Sequence, residues 1–299
     1  MPRPEGEPSR WGFAEGQEIA PGRSAIKLLG GGHRYEAYLS WDERLRSLIV
    51  LKVVRPALVD DEETIAGLAS ELGMLERLAH PVLVRSFGAE LEGPRPYLAL
   101  EHLEGPRLST LLRRYGPLPI EQLVPLALQL SSAAHYLDYE GVAHLDIKPS
   151  NIIMAGPPRL IDVSIARTHE ECLALRSNVG TDAYMAPEQC RPGRPASPGA
   201  LSDVWGIGAT LFQAVAGERA FSEGERASAV PAERWPQLVE RPRALPPHVG
   251  PAVAEPLLAC LSHDPRGRPT AGRLADTLEP VLDSLPKPRL SNLKPRVQR

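Results

Sequence analysis

The hydrophobic pattern of this chain changes once, near residue 105, and that change limits the folds open to it. Before this point, short β-prone runs alternate with turn-forming or charged residues, as in antiparallel strands. After it, apolar residues recur at three- and four-residue steps, as on the buried face of a helix. We therefore predict an α+β fold with two lobes, in which a small antiparallel β lobe precedes a larger and mainly helical lobe.

The small lobe, residues 23–103, is predicted to contain five strands and one helix. The helix is indicated by apolar residues at helical spacing between Ile65 and Leu78, with Pro81 shortly after its end. The strands are predicted at residues 25–29, 35–41, 47–53, 84–89 and 97–101. In the larger lobe, residues 104–285, helices are predicted at residues 120–137, 201–216, 251–261 and 270–285.

Both ends of the chain differ in composition from the two lobes. Residues 1–22 are rich in Gly, Pro and Glu without a sustained apolar period, so we predict a flexible lead-in there. Residues 286–299 contain basic residues and no acidic one, which predicts a solvated basic tail. A surface for a partner or an anionic membrane is the alternative interpretation of that tail.

Composition excludes several classes of protein. The 299 residues are 42% hydrophobic and 24% charged, as in globular proteins rather than disordered chains. A net charge of −3 lacks the basic excess of a dedicated nucleic-acid binder, so we expect no nucleic-acid ligand. Three separated cysteines, no 20-residue apolar span and no apolar signal-peptide core at the start predict a cytoplasmic protein without a transmembrane segment.

Two features of the small lobe suit a phosphate-binding site. Gly30, Gly31 and Gly32 lie in a turn between the first two strands, where backbone N–H groups can approach phosphate oxygens. An ordinary hairpin turn is the alternative. Lys52 lies in an apolar strand, where a buried cation needs an anionic partner such as Glu71 or a phosphate. For Lys52 alone, an edge-strand lysine that faces water is the alternative.

The chemistry is indicated most strongly by the segment HLDIKPSN at residues 144–151, which Asp162 follows. The residues between them predict a hairpin that returns Asp162 close to Asn151. An amide oxygen and a carboxylate that converge there make the oxygen site that Mg²⁺ prefers, with phosphate oxygens and water as the other ligands. Asp146 is then free to accept a proton, and Lys148 to neutralise charge on a transferred phosphoryl group.

These motifs resemble those of eukaryotic-type serine/threonine protein kinases of the Hanks type, which bacteria also contain. The similarity covers roughly residues 25–285 and implies the bilobal protein-kinase fold. It rests on the glycine-rich loop, Val50-Leu51-Lys52, the catalytic-loop motif at residues 144–151, Asp162, Ser202-Asp203-Val204-Trp205 and Arg268. It also rests on Ala186-Pro187-Glu188, which matches the motif that closes the activation segment in that family. In that family, the arginine at the position of Arg268 pairs with the glutamate at the position of Glu188.

The resemblance implies that ATP binds between the lobes, with the glycine-rich loop over its phosphates and its adenine against the connector after the fifth predicted strand. Lys52, held by Glu71, would contact the α- and β-phosphates. The implied nucleotide-binding residues are Leu29, Gly30, Gly31, Gly32, Ala37, Lys52, Leu100, Glu101 and Leu103.

The resemblance also implies the catalytic roles. Asp162 and Asn151 would hold Mg²⁺, for which Mn²⁺ could substitute, and Asp146 would orient the substrate hydroxyl and take its proton. Lys148 matches the Ser/Thr-specific pattern of the family. The implied substrates are proteins with Ser or Thr acceptors in cytoplasmic signalling.

Four residues depart from the family pattern. Tyr35 replaces the third loop glycine, which predicts a bulkier loop that closes less readily over ATP. Val163 and Ser164 replace the Phe and Gly of the Asp-Phe-Gly motif, and Leu145 replaces the arginine that ordinarily receives an activation-loop phosphate. These departures keep a second function open, that of a pseudokinase scaffold which binds nucleotide or a partner without efficient phosphotransfer.

The loss of that arginine gives a first testable prediction. Activity should depend little on phosphorylation of Thr168, Ser177 or Thr181, because Leu145 offers no charge to pair with a phosphate. Phosphatase-treated and untreated protein should therefore transfer label from ATP at similar rates. Loss of turnover after phosphatase treatment would contradict the prediction.

Overall fold

The small lobe is built on one antiparallel sheet. The computed structural model describes residues 9–193 and 196–286. The strands of the sheet are β1 Glu18–Ala20, β2 Arg23–Gly31, β3 Tyr35–Asp42, β4 Ser47–Val54, β5 Ser86–Glu90 and β6 Tyr97–Glu101. They lie side by side in the order β1-β2-β3-β4-β6-β5. The five predicted strands are confirmed, but the sheet has six strands because β1 adds one at its edge.

Strand β4 shows how the sheet positions a charged side chain. Leu51 and Val53 are fully buried in the apolar cluster on one face of the sheet. Successive side chains of a strand point to opposite faces, so Lys52 points the other way. That face is covered by the one long helix of the small lobe, α1 Glu62–Arg77. The Glu71 carboxylate on this helix forms an ion pair with the Lys52 ammonium. The predicted helix is therefore confirmed, and its position follows from the strand alternation.

The structure differs from the prediction for the start of the chain. Residues 1–8 lie outside the described residues, but residues 9–22 pack against the sheet instead of forming a flexible lead-in. Ile19 is only 2% exposed, and Trp11 and Phe13 pack against the apolar cluster of the sheet. The two aromatic rings bury apolar area that a count of Gly, Pro and Glu does not register.

The larger lobe is mainly helical, as predicted. Its helices are α2 Leu108–Tyr115, α3 Ile120–Tyr139, α4 His169–Ala174, α5 Pro187–Cys190, α6 Ala200–Ala216, α7 Pro231–Arg234, α8 Pro251–Cys260 and α9 Ala271–Ser284. The four predicted helices are confirmed as α3, α6, α8 and α9. The four others have eight residues or fewer, which is too short for a periodic apolar pattern to identify them.

Helix α6 forms the centre of the larger lobe. Thirteen of its 17 residues are buried, so it has no polar face to turn toward solvent. It packs against α3 and α8, and α3 packs along α9. Gly208 allows the close approach to α8, because a Cβ atom there would lie 2.6 Å from the Cβ atom of Cys260.

Two short strand pairs flank the motif residues at 144–151 and Asp162 in the larger lobe. The pairs are β7 Val142–Ala143 with β10 Arg167–Thr168, and β8 Ile152–Ile153 with β9 Arg159–Leu160, both antiparallel. The second pair is the predicted hairpin. Just beyond it, the Ile161 N–H donates to the Asn151 carbonyl oxygen at 2.8 Å, so the hairpin returns the chain beside Asn151 immediately before Asp162.

No helix among the described residues is long and apolar enough to cross a lipid bilayer. Except for Pro286, the predicted basic tail lies outside the described residues.

A buried ion pair joins the end of the predicted activation segment to the loop before α9. The Arg268 guanidinium donates to both carboxylate oxygens of Glu188, at 2.6 and 2.9 Å. The two side chains are 0% and 2% exposed. The Ser202 hydroxyl also donates to Glu188 at 2.7 Å. The pair that the resemblance implied is therefore present, and its bidentate geometry satisfies two charges that would be costly to bury singly.

We expect Arg268→Met to cost about 3–5 kcal/mol of the free energy of unfolding, because it leaves the Glu188 charge buried without its partner. Urea denaturation followed by circular dichroism measures this loss. Arg266→Met is the matched control, since the Arg266 side chain is 89% exposed and pairs at the surface. Equal urea midpoints for the two variants would contradict the prediction.

Candidate active site

The Asp146 carboxylate is held by three polar side chains. Lys148 Nζ lies 2.6 Å from Oδ2, and Asn151 Nδ2 donates to the same oxygen at 3.0 Å. The Thr181 hydroxyl donates a hydrogen bond to Oδ1 at 2.7 Å and accepts one from Lys148 Nζ at 2.6 Å. The structure thus brings together three residues proposed from the sequence and adds Thr181, for which spacing along the chain gave no signal.

The backbone on which Asp146 is mounted is anchored to helix α6. The buried Asp203 carboxylate accepts the His144 N–H at 2.7 Å and the Leu145 N–H at 2.8 Å. Leu145 has a φ of 64°, a left-handed conformation that is unfavourable for a residue with a branched side chain. The two hydrogen bonds hold the loop in this conformation and aim the next residue, Asp146, at its partners.

Leu145 packs where the family has a charged residue. Its side chain is 3% exposed and lies in an apolar cluster with Cys172, against which Ile165, Leu175 and Val179 also pack. The activation segment is therefore held against the catalytic loop by burial of apolar area rather than by a charge pair.

Gln189 makes a second connection between these two segments. Its Nε2 group donates to the carbonyl oxygens of Leu145 at 2.8 Å and Val179 at 2.9 Å. Gln189 is buried, and it is a site-supporting residue that the sequence analysis missed.

A second charged cluster surrounds Lys52. Lys52 Nζ lies 2.6 Å from Glu71 Oε2 and 3.4 Å from Asp162 Oδ1. The Lys52 side chain is 15% exposed and that of Glu71 only 2% exposed. A buried lysine charge needs anionic partners, and two carboxylates supply them here. The interpretation of Lys52 as a water-facing edge residue is therefore wrong.

The pKa values of this cluster follow from burial opposed by charge. Burial alone would lower the pKa of Lys52, but the carboxylates of Glu71 and Asp162 raise it, so the ammonium stays protonated. Burial would raise the pKa of Asp162, but Lys52 and a hydrogen bond with the Ser164 side chain lower it to about 2. Asp162 is therefore ionised at neutral pH, which is the form that binds a cation.

Asn151 and Asp162 have the donor chemistry of a magnesium site. Asn151 directs its amide nitrogen to the Asp146 carboxylate and the Asp146 carbonyl oxygen, both at 3.0 Å, so its amide oxygen points away from them. Asp162 has a φ of 68°, and its side chain is 40% exposed, which leaves carboxylate surface open. An amide oxygen and an ionised carboxylate fit Mg²⁺ with phosphate oxygens and water as further ligands.

The strand register gathers the predicted phosphate-binding residues. Ala37 lies opposite Gly30 on one side and opposite Lys52 on the other, so the three share one row across β2, β3 and β4. Gly31 allows the loop to fold tightly, because a Cβ atom there would lie 2.6 Å from the Tyr35 carbonyl oxygen. Leu29, before the glycines, is 45% exposed.

The connector between the lobes leaves backbone groups available for a ligand. The backbone N–H and C=O groups of Leu103 form no backbone hydrogen bond within the described part of the chain. The Glu101 side chain is held from both lobes, by Arg85 at 2.9 Å and by Arg159 at 2.5 Å. Leu100 lies at the end of β6, opposite Val50. These contacts fix the connector between the sheet and the helices.

The Tyr35 side chain lies against α1. Its hydroxyl donates to the Thr64 carbonyl oxygen on α1 at 2.8 Å, and Lys52 Nζ lies 4.9 Å from its ring centroid. Burial raises the pKa of Tyr35, which keeps its hydroxyl a donor. The side chain connects the glycine-rich loop to α1, and Gly67 on α1 leaves room for it.

A lobe built on an antiparallel sheet followed by a mainly helical lobe is the architecture of a protein kinase domain. Residues 24–278 match the protein kinase domain family, and the chain belongs to that family.

Several bacterial proteins are similar to the chain over most of its length. The DNA damage-responsive serine/threonine-protein kinase RqkA of Deinococcus radiodurans is 32% identical over 259 residues, which are 83% of this chain and 37% of that protein. Serine/threonine-protein kinase PkaA of Streptomyces coelicolor is 31% identical, over 79% of this chain and 44% of that protein. Serine/threonine-protein kinase PknA of Mycobacterium tuberculosis is 29% identical, over 90% of this chain and 63% of that protein. The chain thus spans less than two thirds of each of these relatives.

The contacts of Tyr35 predict the effect of removing its hydroxyl. Tyr35→Phe should lower the free energy of unfolding by about 1 kcal/mol, because it removes the hydrogen bond to Thr64. Tyr35→Gly, which restores the family residue, should cost more, because the ring over Lys52 is lost as well. Urea denaturation measures both, with Tyr139→Phe as the control because Tyr139 is 83% exposed. A Tyr35→Gly protein as stable as the parent would show that the ring adds nothing.

Proposed function

We propose that the chain transfers the γ-phosphoryl group of ATP to Ser or Thr hydroxyls of protein substrates. The observation that carries the proposal is the Asp146 carboxylate with Lys148 Nζ at 2.6 Å and the Thr181 hydroxyl at 2.7 Å. A carboxylate beside an ammonium group can orient a hydroxyl, accept its proton and have the charge compensated nearby.

In the proposed reaction, the substrate hydroxyl oxygen forms a bond to the γ-phosphorus while the bond from that phosphorus to the β–γ bridging oxygen breaks. Asp146 accepts the hydroxyl proton, and ADP is the leaving group. Lys148 stabilises negative charge that develops on the transferred group. Thr181 and Asn151 keep the carboxylate in one orientation, so that little reorganisation is needed as the reaction proceeds.

Asn151 and Asp162 are the residues we propose to hold Mg²⁺, or Mn²⁺ in its place. When bound, the metal ion would neutralise phosphate charge and assist departure of ADP. Lys52, fixed by Glu71, would contribute a second positive charge toward the phosphates. The residues proposed to contact the nucleotide are Leu29, Gly30, Gly31, Gly32, Ala37, Lys52, Leu100, Glu101 and Leu103.

We propose residues 23–103 and 104–285 as the two lobes that the nucleotide bridges. The names of the similar bacterial proteins support Ser/Thr specificity, as does Lys148. We also propose a cytoplasmic location, which the three buried free cysteines support.

Two substitutions test the proposal. Asp146→Asn should lower the rate of transfer from γ-labelled ATP by about 10²–10⁴, because the base is removed while the size of the side chain is kept. Lys52→Met should also abolish most transfer, because it removes the buried cation that Glu71 and Asp162 surround. Asp283→Asn and Lys27→Met, both at exposed positions, are the matched controls and should transfer label at the parent rate.

Equal labelling by parent and Asp146→Asn protein would overturn the kinase proposal. Thermal stabilisation of the parent chain by ATP and Mg²⁺, without any transfer to protein substrates, would instead support the pseudokinase alternative.

A further inference from the structure

Residues 9–13 cross the sheet of the small lobe, and we call them the N-terminal strap. The Trp11 indole Nε1 donates to the Val54 carbonyl oxygen at 2.8 Å. Its ring stacks on Phe13 with centroids 5.6 Å apart, and Phe13 meets the edge of Tyr38 at 5.2 Å. The Arg95 guanidinium lies over both strap rings, 5.5 and 5.3 Å from their centroids. The strap is thus held by a hydrogen bond, aromatic packing and a cation.

Beside the strap lies a buried ion pair. Arg55 Nη1 is 3.1 Å from Glu36 Oε1, and the two side chains are 7% and 1% exposed. Tyr38 donates its hydroxyl to Glu36 Oε2 at 3.0 Å. Burying such a pair is favourable only if further hydrogen bonds satisfy both groups, and the strap supplies two of them. The Trp11 N–H donates to Glu36 Oε2 at 3.2 Å, and the Ser9 carbonyl oxygen accepts from Arg55 at 3.3 Å.

The same arginine also holds the glycine-rich loop. Arg55 Nε donates to the Gly32 carbonyl oxygen at 2.8 Å, and the Arg55 N–H donates to the Arg34 carbonyl oxygen at 3.0 Å. In a planar trans peptide the C=O and N–H groups point in opposite directions. The His33 N–H, which shares a peptide plane with the Gly32 carbonyl, therefore points away from Arg55.

We propose that the N-terminal strap is part of the nucleotide-binding machinery. Through Glu36 and Arg55 it sets the position of the Gly32 peptide, and so the shape of the loop that covers the phosphates of ATP. Trp11 and Arg55 are positioning residues, since they act on the loop and not on the reacting atoms. This proposal rests on the proposed function, because it takes ATP as the ligand under the loop.

The kinetic signature follows from that indirect role. A loop that is less well ordered binds ATP more weakly, whereas Asp146 and its partners remain in place. Loss of strap contacts should therefore raise KM for ATP and leave kcat nearly unchanged. It should also increase hydrogen exchange at the amides of residues 31–34 in protein without nucleotide, because a loop that opens more often exchanges faster.

The experiment compares Trp11→Ala with Trp41→Ala in the full chain. Trp41 lies on β3, is 39% exposed, and contacts neither Glu36 nor Arg55. Trp11→Ala should raise KM for ATP about tenfold with kcat within about twofold of the parent, and should speed exchange at residues 31–34. Trp41→Ala should change neither quantity.

Two further variants keep the test independent of folding. Trp11→Phe retains a stacked ring but loses the bond to Val54, and it should give a smaller shift in the same direction. The double variant Glu36→Gln with Arg55→Met removes both charges together, so no buried charge is left unpaired. It deletes the bond to Gly32 while the strap remains, and it should reproduce the KM shift of Trp11→Ala.

The outcomes separate the two proposals. If the parent transfers phosphate and Trp11→Ala matches Trp41→Ala in both KM for ATP and loop exchange, the strap proposal is overturned and the kinase proposal stands. If the parent transfers no phosphate and binds no ATP, the kinase proposal fails. Hydrogen exchange at the amides of residues 31–34 then decides whether the strap orders the loop. Exchange in Trp11→Ala at the parent rate overturns the strap proposal, and faster exchange supports it.

Discussion

The buried carboxylate of Asp203 connects the core of this protein to its chemistry. Helix α6 is surrounded by apolar side chains, and a carboxylate in that setting needs hydrogen-bond donors. The backbone N–H groups of His144 and Leu145 supply them, and in doing so they hold Leu145 in a left-handed conformation. Asp146 follows directly, so the position of the proposed base is set by the need to supply hydrogen-bond donors to a buried carboxyl group on the central helix.

The same requirement organises the small lobe. Lys52 is buried by strand alternation and is neutralised by Glu71 on one side and Asp162 on the other. Because Asp162 belongs to the larger lobe, this cluster ties the two lobes together and forms part of the proposed site for phosphate and metal. The Glu36–Arg55 pair shows the same principle on the strap side of the glycine-rich loop, where satisfying a buried charge also fixes a backbone carbonyl.

Residue patterns predicted much of the fold and site, and the failures have physical causes. Helices of ten residues or more were predictable because they repeat an apolar spacing, and Lys52, Asp146, Asn151 and Asp162 because their motifs keep a fixed order. Thr181 was not placed against Asp146, because the contact spans 35 positions of chain. Tyr35 was expected to make the loop bulkier, and only the tertiary structure shows that its hydroxyl bonds to α1 and that Lys52 lies over its ring.

By itself, the amino-acid sequence determined the two-lobe α+β architecture, the order of the motifs and the residue types available for phosphoryl transfer, because periodicity and motif spacing are local properties. Tertiary structure alone decided which other distant groups meet: the strap with Glu36 and Arg55, Leu145 with an apolar activation segment, and Thr181 with Asp146. These contacts depend on which buried charges and apolar surfaces find partners when the chain closes on itself. The pairing of these groups is a property of the whole packed molecule, so it cannot be predicted from any one segment of the sequence.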